Sequence, residues 1–419
     1  MRATPFLRDD EVRRLRRDFG TPLYVYDQNT LEAAAAELLS FPNAFGLTAR
    51  FAMKALPSAV VLRVLMGAGL HIDASSGYEA ERAIRAGVPG ERIMLTAQQL
   101  PDDLTGLIKR GVRFNACSIH QLRAYGEAFP GSEVSVRINP GLGSGHSNRT
   151  NVGGPSSSFG IWHEYVGEVI ETASAHHLRI TMMHTHIGSG GDPEVWKRCA
   201  RMSLEIAAKF SEVTRLSLGG GFKVARVDGE SSANPIEIGN ALLDDFREFE
   251  RLHGRRLHLE LEPGTFLAAN TGEIVTTIVD VVDTGAQGYR FIKIDSGMTE
   301  NLRPSMYGAQ HPIRLVTAQN RTATDTSDYV IVGHCCESGD IVTPLPGNPE
   351  GLGPRTLPEA RIGDSIVIGG AGAYCAAMPA KNYNSYPEAA EVLRTRDGEF
   401  KLIRRRQTLD QVLANEIVE

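Results

Sequence analysis

A single lysine ends one of the apolar segments in the N-terminal part of this chain. Lys54 lies within the sequence Phe-Ala-Met-Lys-Ala-Leu at positions 51–56. Apolar neighbours exclude water from an amine and favour its neutral, nucleophilic form. The sequence therefore offers Lys54 as a nucleophile, and the alternative is an ordinary surface lysine at the start of a loop.

Two pairs of titratable side chains occur later in the chain, each separated by one intervening residue. His184 and His186 form one pair and Glu260 and Glu262 the other, so each pair lies on one face of an extended strand. The histidines could bind a metal ion, or one imidazole could stack on a flat cofactor ring while the other is satisfied by hydrogen bonds in the core. Glu262 could keep a pyridine nitrogen protonated, and the alternative is an ion pair with an arginine.

Two further motifs offer reactive backbone or side-chain groups. Gly219 to Gly221 follow an apolar segment, and their backbone N–H groups could approach an anion closely. The alternative is a tight turn between a strand and a helix. Cys335 and Cys336 are adjacent, which favours a proton donor or a nucleophile, whereas most free cysteines are buried as small apolar residues.

Short apolar segments must position these residues if they act together. Stretches with helical periodicity separate most of the segments, and this alternation predicts a (β/α)8 barrel, an α/β fold. The segments cover 47–54, 70–75, 92–98, 112–118, 133–139, 180–189, 215–222 and 257–264. Chemistry in this fold takes place at the carboxyl ends of the strands. The residues that close the segments therefore form one candidate ring, made of Lys54, Asp73, Gln98, Ser118, Arg137, Asn139, His184, His186, Gly219 to Gly221 and Glu262.

The chain after Glu262 has a different pattern, in which strands follow one another with few helices between them. Such a pattern predicts a C-terminal β-sandwich or β-barrel domain. We expect the barrel domain at 28–270, and a β domain made of 1–27 and 271–419, with the N-terminal strand 23–26 joining it. The strands predicted after Glu262 are 274–282, 289–294, 329–332, 365–368 and a hairpin of 391–396 with 399–404, turned by Asp397 and Gly398.

A long insertion rich in Gly, Ser and Asn occupies 141–158, between the fifth and sixth predicted barrel strands. Loops of this length in compact domains are usually functional or mobile. This one contains His146, Asn148 and Arg149. We expect it to lie on the catalytic side of the barrel and to close over a substrate.

The bulk composition argues against several classes of protein. The chain has 419 residues, of which 42% are hydrophobic and 22% charged, and its formal net charge is −6. This charge argues against nucleic acid and anionic membranes as partners, and no apolar run reaches transmembrane length. The first residues lack the apolar core of a secretion signal. The cysteines form no Cys-x-x-Cys pattern and fit reduced thiols, so we expect a cytoplasmic protein.

Longer motifs are distributed along nearly the whole chain, from the Thr-Pro-Leu-Tyr-Val-Tyr-Asp sequence at 21–27 to the last hairpin. The most specific are Ser-Phe-Gly at 158–160, His-Ile-Gly-Ser at 186–189, Asp-Ser-Gly-Met at 295–298, Leu-Arg-Pro-Ser-Met-Tyr at 302–307, Cys-Glu-Ser-Gly-Asp at 336–340, Gly-Ala-Tyr at 372–374 and Asn-Tyr-Asn at 382–384. In these motifs the chain resembles the diaminopimelate decarboxylase family, within the alanine-racemase-like (fold-type III) class of pyridoxal phosphate enzymes. The resemblance implies a pyridoxal phosphate-dependent carboxy-lyase of lysine biosynthesis.

The resemblance also implies roles for individual residues. Lys54 would carry pyridoxal 5'-phosphate as a Schiff base, His186 would stack on its ring, and Glu262 would hold the pyridine nitrogen. Glu262 favours decarboxylation, because the related racemases have arginine there. Cys336 would return a proton after carbon dioxide leaves and, with Glu337, would reach into the partner subunit's site, which implies a homodimer. The remaining implied contacts are to the cofactor, from Asp73, Ser189, Gly219, Gly220, Gly221, Gly264 and Tyr374, and to the substrate, from Arg303, Tyr307, Glu337 and Tyr374.

Three positions depart from the family pattern. Thr265 follows Glu-Pro-Gly where the family usually has arginine, Ser157 stands where lysine is frequent, and Gly190 where glutamine is frequent. The missing arginine helps to bind the distal carboxylate, and losing such a contact should cost roughly 2–5 kcal/mol of binding. Arg303 remains, so meso-diaminopimelate, giving L-lysine and carbon dioxide, is the leading substrate. D-Lysine and D-ornithine, which lack the distal carboxylate, are the alternative.

Two other classes of protein compete with this interpretation. A metal-dependent barrel hydrolase would use His184, His186 and a carboxylate, but it leaves Lys54 and Tyr374 without a function. We therefore expect no metal in the site. A non-catalytic regulator descended from a decarboxylase conflicts with the retention of the lysine, Glu262, the cysteine motif and the tyrosine.

Overall fold

The computed structural model of the chain describes residues 5–142, 153–186, 190–319, 321 and 325–417. The strands are β1 (Leu23–Asp27), β2 (Leu47–Ala52), β3 (His71–Ala74), β4 (Ile93–Leu95), β5 (Arg113–Ala116), β6 (Glu133–Asn139), β7 (Ile161–Trp162), β8 (Arg179–His184), β9 (Arg215–Ser217), β10 (His258–Leu261), β11 (Gly272–Val275), β12 (Ile278–Asp283), β13 (Arg290–Ile294), β14 (Ile313–Val316), β15 (Thr326–Val332), β16 (Pro344–Leu345), β17 (Asn348–Leu352), β18 (Arg355–Pro358), β19 (Ser365–Ile368), β20 (Ala390–Arg394) and β21 (Phe400–Arg404). The helices are α1 (Asp9–Phe19), α2 (Gln28–Leu39), α3 (Ala59–Gly67), α4 (Gly77–Arg85), α5 (Leu104–Lys109), α6 (Ile119–Ala128), α7 (Val166–Ala175), α8 (Pro193–Ala207), α9 (Pro235–His253), α10 (Thr265–Ala268), α11 (Arg303–Tyr307) and α12 (Leu409–Val412).

The chain folds into two compact units. The first, called the barrel unit below, comprises Glu32–Lys223 and Ser231–Leu267. The second, called the β unit, comprises Met1–Leu31, Val224–Glu230 and Ala268–Glu419. The segment Val224–Glu230 falls inside the barrel domain expected from the sequence, but in the structure it packs as part of the β unit.

Parallel strands close into a barrel in the order β2-β3-β4-β5-β6-β8-β9-β10, and β10 pairs again with β2. Each strand overlaps one of the eight apolar segments, so the predicted (β/α)8 barrel is confirmed. Parallel strands covered by helices are buried on both faces, which explains why they appear in the sequence as short continuous apolar runs. The short strand β7 lies outside the ring and pairs with the end of β6.

The longest helix of the barrel unit, α9, shows why these segments become helices. Asn234 caps its first turn by accepting hydrogen bonds from the N–H groups of Ile236 and Glu237 (3.1 and 3.3 Å), and proline follows at the first helical position. Its buried residues recur at helical spacing, and Gly254 ends the helix in a left-handed conformation. Among the described residues no helix has both the length and the apolar composition needed to cross a membrane.

A six-stranded sheet with the order β14-β19-β11-β1-β20-β21 lies at the centre of the β unit. Leu23 of β1 is opposite Val275 of antiparallel β11 and Ala390 of parallel β20. Apolar side chains of α1 and of this sheet, such as Leu15 and Val25, form a shared core. The expected C-terminal β domain is thereby confirmed.

The prediction of one strand at 274–282 is wrong. The structure divides this stretch between β11 of the six-stranded sheet and β12 of a four-stranded sheet with the order β12-β13-β15-β18. The chain changes sheets at Thr276, whose Oγ1 donates to the carbonyl of Ile366 (2.8 Å), and at Thr277, whose N–H donates to Asp295 (2.7 Å). Strands β14, β16, β17 and β18 were not predicted, and proline in the last three lowers their β-propensity.

Candidate active site

One pocket of the barrel unit is lined by residues at the carboxyl ends of the barrel strands. Seven members of the predicted ring line it together, namely Lys54, Asp73, Gln98, Arg137, His184, His186 and Glu262. This is the end of a (β/α)8 barrel at which chemistry takes place. The full lining is Lys54, Asp73, Ser75, Thr96, Ala97, Gln98, Cys117, Arg137, Phe159, His184, His186 and Glu262.

Lys54 lies in a short 3-10 turn, Met53–Ala55, that follows β2 directly. Met53 and Ala55 are fully buried and fix the turn in the core, whereas the lysine side chain is exposed. The expectation that apolar neighbours partly desolvate the amine is therefore wrong, because Lys54 is exposed although Met53 and Ala55 are buried. Among the described residues the amine makes no hydrogen bond or ion pair, so it is available to a ligand in the pocket.

Glu262 is a buried carboxylate at the pocket wall. Its Oε2 lies 2.9 Å from His184 Nε2, and its Oε1 accepts a hydrogen bond from Ser217 Oγ (3.1 Å). Burial alone would raise the pKa of Glu262, but the charge and hydrogen bond of His184 lower this pKa to about 2. Glu262 is therefore ionised at neutral pH.

Asp73 lines the same pocket but has the opposite electrostatics. Burial and the negative charge of Glu262 raise the pKa of Asp73 well above its ordinary value. Its Oδ1 is buried and has no hydrogen-bond partner among the described residues. Neighbouring carboxyl groups whose pKa values are pushed apart mark a functional site.

His186 and the glycine turn lie together. Gly219 has a φ of +73°, and a Cβ there would lie 2.8 Å from His186 Cγ. A Cβ on Gly220 would lie 2.5 Å from the carbonyl oxygen of Glu262. Burial, followed by the charges of Arg137 and Lys54, lowers the pKa of His186 well below its ordinary value, so its ring is neutral. Glycine at these positions is what allows the turn to lie against the histidine ring.

The structure distinguishes between the two members of each pair of side chains. His184 forms a buried hydrogen bond with Glu262 through its Nε2, but its Nδ1 has no partner among the described residues, so only half of its ring is satisfied. Glu260 is the carboxylate that forms the ion pairs, with Arg50 and Arg215, both at 2.8 Å. Within the described ranges no cluster of three His, Cys, Asp or Glu side chains has the arrangement of a metal site.

Five members of the predicted ring do not line the pocket, namely Gly219 to Gly221, Ser118 and Asn139. The last two are polar residues with other functions. Ser118 caps α6 by accepting a hydrogen bond from the N–H of Gln121 (3.1 Å). Asn139 connects the ends of the long insertion, because its Oδ1 accepts from the N–H groups of Gly141 (3.1 Å) and Gly154 (2.9 Å). Both predictions fail because a polar residue after a strand can serve the following turn instead of the pocket.

Several pocket residues were missed or only partly anticipated. Thr96 and Cys117 also follow barrel strands, and their position was the signal that could have identified them. Phe159 belongs to the Ser-Phe-Gly motif, and the guanidinium of Arg137 lies 5.0 Å from the centre of its ring. Of the predicted site, Ser189 lies outside the described residues, as do His146, Asn148 and Arg149 of the insertion.

The predicted site residues of the β unit lie in its loops and in α11. Cys336 is exposed, and its N–H donates to Asn384 Oδ1 (2.8 Å). Glu337 Oε1 accepts from the N–H of Gly339 (3.0 Å). Arg303 and Tyr307 begin and end α11, and Tyr374 has a left-handed φ of +59°.

The two adjacent cysteines have different environments. Burial and the carboxylate of Asp340 raise the pKa of Cys335 to about 12, so this thiol keeps its proton. Cys336 is exposed and offers its thiol to a ligand. The alternative of a buried pair of small apolar residues is therefore wrong, since neither cysteine is fully buried.

The barrel pocket fits pyridoxal phosphate, the cofactor implied by the resemblance. Lys54 presents an amine without a protein partner, and Glu262 presents an ionised carboxylate. Buried polar atoms of Asp73 and His184, the Oδ1 and Nδ1 atoms, have no partner among the described residues and are open to a polar ligand. In the Gly219–Gly221 turn the Gly219 N–H donates to Ser217 Oγ (3.2 Å), so the N–H groups of Gly220 and Gly221 are the ones that could bind a phosphate.

Comparison with known proteins agrees with this geometry. Residues 32–269 match the family model described as pyridoxal-dependent decarboxylase, pyridoxal binding domain. The chain is 35% identical to the diaminopimelate decarboxylase of Escherichia coli, over 98% of this chain and 97% of that one. It is 36% identical to the diaminopimelate decarboxylase of Streptomyces coelicolor, over 96% and 90%. A crystal structure of diaminopimelate decarboxylase superimposes with a TM-score of 0.89 at 34% identity, covering 97% of this chain and 96% of that one. The chain therefore belongs to the pyridoxal-dependent decarboxylases, and within them to the diaminopimelate decarboxylase family.

Proposed function

We propose that this enzyme removes the carboxyl group at the D-configured centre of meso-diaminopimelate and releases L-lysine and carbon dioxide. The observation that carries the proposal is the ionised carboxylate of Glu262 in the same pocket as the unpaired amine of Lys54. The similarity to diaminopimelate decarboxylases over nearly the whole chain supports the choice of substrate.

Glu262 and Lys54 prepare the pocket for the reaction. Bound pyridoxal phosphate supplies an electron sink for the electron pair of the carbon–carbon bond that breaks. Lys54 would hold the cofactor through its amine. Glu262 holds a proton at the pyridine nitrogen, and His184 and Ser217 keep its two oxygens oriented toward that task.

Other residues position the reactants. The neutral ring of His186 would hold the cofactor ring without adding charge to it. Gly220 and Gly221 would bind the phosphate through their backbone N–H groups, with Gly219 shaping the turn, and Gly264 and Tyr374 would contribute further contacts. Burial and the charge of Glu262 raise the pKa of Asp73 and favour its protonated form, whereas the pKa of Glu262 is lowered, so Glu262 is the pocket carboxylate that carries charge.

The β unit supplies the residues that complete the reaction. Cys336 returns a proton to the carbon that has lost its carboxyl group, because its thiol is exposed and carries a transferable proton. Arg303, Tyr307 and Glu337 bind the part of the substrate that is retained. We propose that the enzyme is a homodimer in which Cys336 and Glu337 serve the partner subunit's pocket. A fully active monomer in sedimentation analysis would contradict this arrangement.

Decarboxylation of D-lysine or D-ornithine is the second candidate. The observation in its favour is Thr265, which stands at the start of α10 where the family usually has arginine. A substrate without a distal carboxylate would not need that arginine.

The decisive experiment measures carbon dioxide release by the pyridoxal phosphate-loaded enzyme with meso-diaminopimelate, D-lysine and D-ornithine in parallel. We expect release from meso-diaminopimelate, and no activity of Lys54→Ala with any substrate. Lys109→Ala, which removes a lysine from the exposed end of α5, is the matched control and should retain full activity. Release from the D-diamino acids alone would replace the first candidate by the second, and a fully active Lys54→Ala variant would exclude both.

A further inference from the structure

Two segments of the β unit that are distant in the chain contact each other at Cys336. The first is 334–337, called the cysteine loop below, and the second is 382–386, called the asparagine turn. The N–H of Cys336 donates to Asn384 Oδ1 (2.8 Å). An N–H group and the Cα of its residue belong to one rigid peptide plane. This hydrogen bond therefore fixes the Cα atom from which the Cys336 thiol extends.

The asparagine turn also holds the beginning of the cysteine loop. The ring of Tyr386 stacks on the ring of His334, with 3.6 Å between the ring centres and 5° between their planes. The Tyr386 hydroxyl donates to the carbonyl oxygen of His334 (3.2 Å). Burial lowers the pKa of His334 to about 4, so the imidazole in this stack is neutral at neutral pH. The two segments are thus joined at His334 and at Cys336.

The backbone of the asparagine turn is strained. Asn382, Asn384 and Ser385 have φ values of +54°, +51° and +62°, in a region that L residues other than asparagine and aspartate seldom adopt. The turn is kept in this conformation by Asn382 Nδ2, which donates to the carbonyl oxygen of Tyr386 (2.9 Å) and to Gln407 Oε1 (2.7 Å). Strain of this kind costs stability and is concentrated at functional sites.

The neighbouring residue of the cysteine loop has a separate anchor. The N–H of Cys335 donates to Asp340 Oδ2 (3.0 Å), and Oδ1 of the same carboxyl group accepts the N–H of Met298 (2.7 Å). Asp340 is buried, whereas Asn384 is exposed. Loss of the Asn384 contact should therefore release Cys336 while Cys335 and the base of the loop stay in place.

We propose that Asn384 is a positioning residue for the return of the proton, because it holds Cys336 where its thiol reaches the reacting carbon from one side. The electron pair left on that carbon by the departing carbon dioxide takes the thiol proton, and solvent water then reprotonates the thiolate. The position of Cys336 therefore sets the rate of this step and the face of the carbon that gains the proton. The inference rests on the proposed function and names the residue that sets the geometry of its last step.

The test follows the face of proton return. In deuterium oxide the pyridoxal phosphate-loaded enzyme places one deuterium on the carbon of L-lysine that has lost its carboxyl group, and proton NMR of a chiral amide derivative shows which of two positions it occupies. We expect the wild type to label one position. Asn384→Gly removes the acceptor and still allows a positive φ, and it should label both positions. Its kcat should fall by about tenfold, equivalent to about 1.4 kcal/mol, with KM nearly unchanged.

Three further variants make the test specific. Asn384→Asp keeps an acceptor oxygen and tolerance of a positive φ, so it should label one position with nearly wild-type kcat. Asn234→Gly removes an acceptor of the same kind from the start of α9 and should change neither quantity. If Asn384→Gly does not fold, Tyr386→Leu, which removes the stacked ring from the same loop, should label both positions.

Amide hydrogen exchange of the peptide containing Cys336, measured without substrate, reports on the contact itself. Exchange should be faster in Asn384→Gly than in the wild type and in Asn384→Asp. Equal exchange in all three proteins would overturn the inference, because the contact would then not hold the loop.

The labelling separates failure of the inference from failure of the proposed function. Deuterium at a single position in Asn384→Gly would overturn the inference even if kcat falls, because a merely structural contact would change the rate and not the face. Labelling of both positions by the wild type would overturn it as well. A wild type that releases no carbon dioxide from meso-diaminopimelate would refute the proposed reaction and the inference with it, whereas an active wild type with the same labelling as Asn384→Gly would refute the inference alone.

Discussion

Two glutamates near the end of β10 have different kinds of partner. Glu260 lies in the interior of the barrel, and Glu262 lines the pocket. Glu260 is fully buried between Arg50 and Arg215, both at 2.8 Å. Glu262, two positions further, is bound by a histidine and a serine and lines the pocket. Burial would raise the pKa of either carboxyl group, and in both cases the partners reverse this effect and lower it.

The difference lies in what the partners leave available. Two arginines saturate Glu260 with charge and hydrogen bonds, so it can only serve the fold. A histidine and a hydroxyl keep Glu262 ionised and oriented without neutralising it with a permanent cation. A carboxylate in that condition can still stabilise positive charge on a bound ring. Glu260, which is paired with arginines, thus serves stability, and Glu262, which is paired with a histidine and a serine, is available for catalysis.

The largest effect is expected for Glu260→Gln. This variant removes the only carboxylate paired with Arg50 in the described structure and leaves a fully buried guanidinium uncompensated. Removing one partner of a buried pair typically costs about 3–5 kcal/mol of unfolding free energy. Urea unfolding monitored by circular dichroism should show this loss. A midpoint equal to that of the wild type would mean that the interior ion pairs contribute no net stability.

The next effect is expected for Glu262→Gln, and it should appear in activity. The amide cannot stabilise a protonated pyridine nitrogen, so kcat should fall by about 10²- to 10³-fold, the size seen when one preorganised electrostatic contact is removed. Its partners are not arginines, so the unfolding midpoint should change far less than in Glu260→Gln. Steady-state carbon dioxide release and urea unfolding on the same preparation separate the two effects. Wild-type kcat in this variant would remove Glu262 from the mechanism.

The smallest effect is expected for Asp73→Asn, because the asparagine resembles the protonated carboxyl group that the pocket favours. Turnover should change less than about tenfold, equivalent to about 1.4 kcal/mol. The pKa of Asp73 in the folded chain is raised above its ordinary value of 3.8, so the wild type loses stability as the pH rises from 3.8 through the raised pKa.

The asparagine variant cannot lose stability in this way. Its melting temperature without cofactor should therefore improve relative to the wild type as the pH increases. A difference between the two proteins that is constant from pH 5 to pH 8 would show that Asp73 is ionised throughout.

The barrel could be predicted from the sequence because its strands are buried on both faces and its helices have clear periodicity. The pocket residues at strand ends followed from that prediction, since the fold itself collects them. The sequence could not show which polar residues at strand ends face the pocket and which cap a neighbouring turn. Ser118 and Asn139 also follow or end barrel strands, but they accept hydrogen bonds from nearby backbone N–H groups.

Sequence patterns could not predict contacts that depend on the course of loops or on distant segments. Arg226 lies in a loop without periodicity, and its Nε donates to the carbonyl oxygen of Gly370 (3.0 Å), which is remote in the chain. The environment of Cys335 depends on the shape of the loop that follows it, because this loop brings Asp340 to accept a hydrogen bond from the Cys335 N–H (3.0 Å). The exposure of Lys54 depends on the direction of a single turn, which its apolar neighbours did not reveal.

The central position of β1 has a consequence for the order in which the protein can be completed. All strands of the barrel ring lie between Leu47 and Leu261, so the ring can close while later residues are still being translated. β1 is made before them, but its neighbours β11 and β20 emerge from the ribosome only after the ring. The first strand therefore has both edges unpaired until β11 has been made, and one edge unpaired until β20, near the end of the chain, has been synthesised.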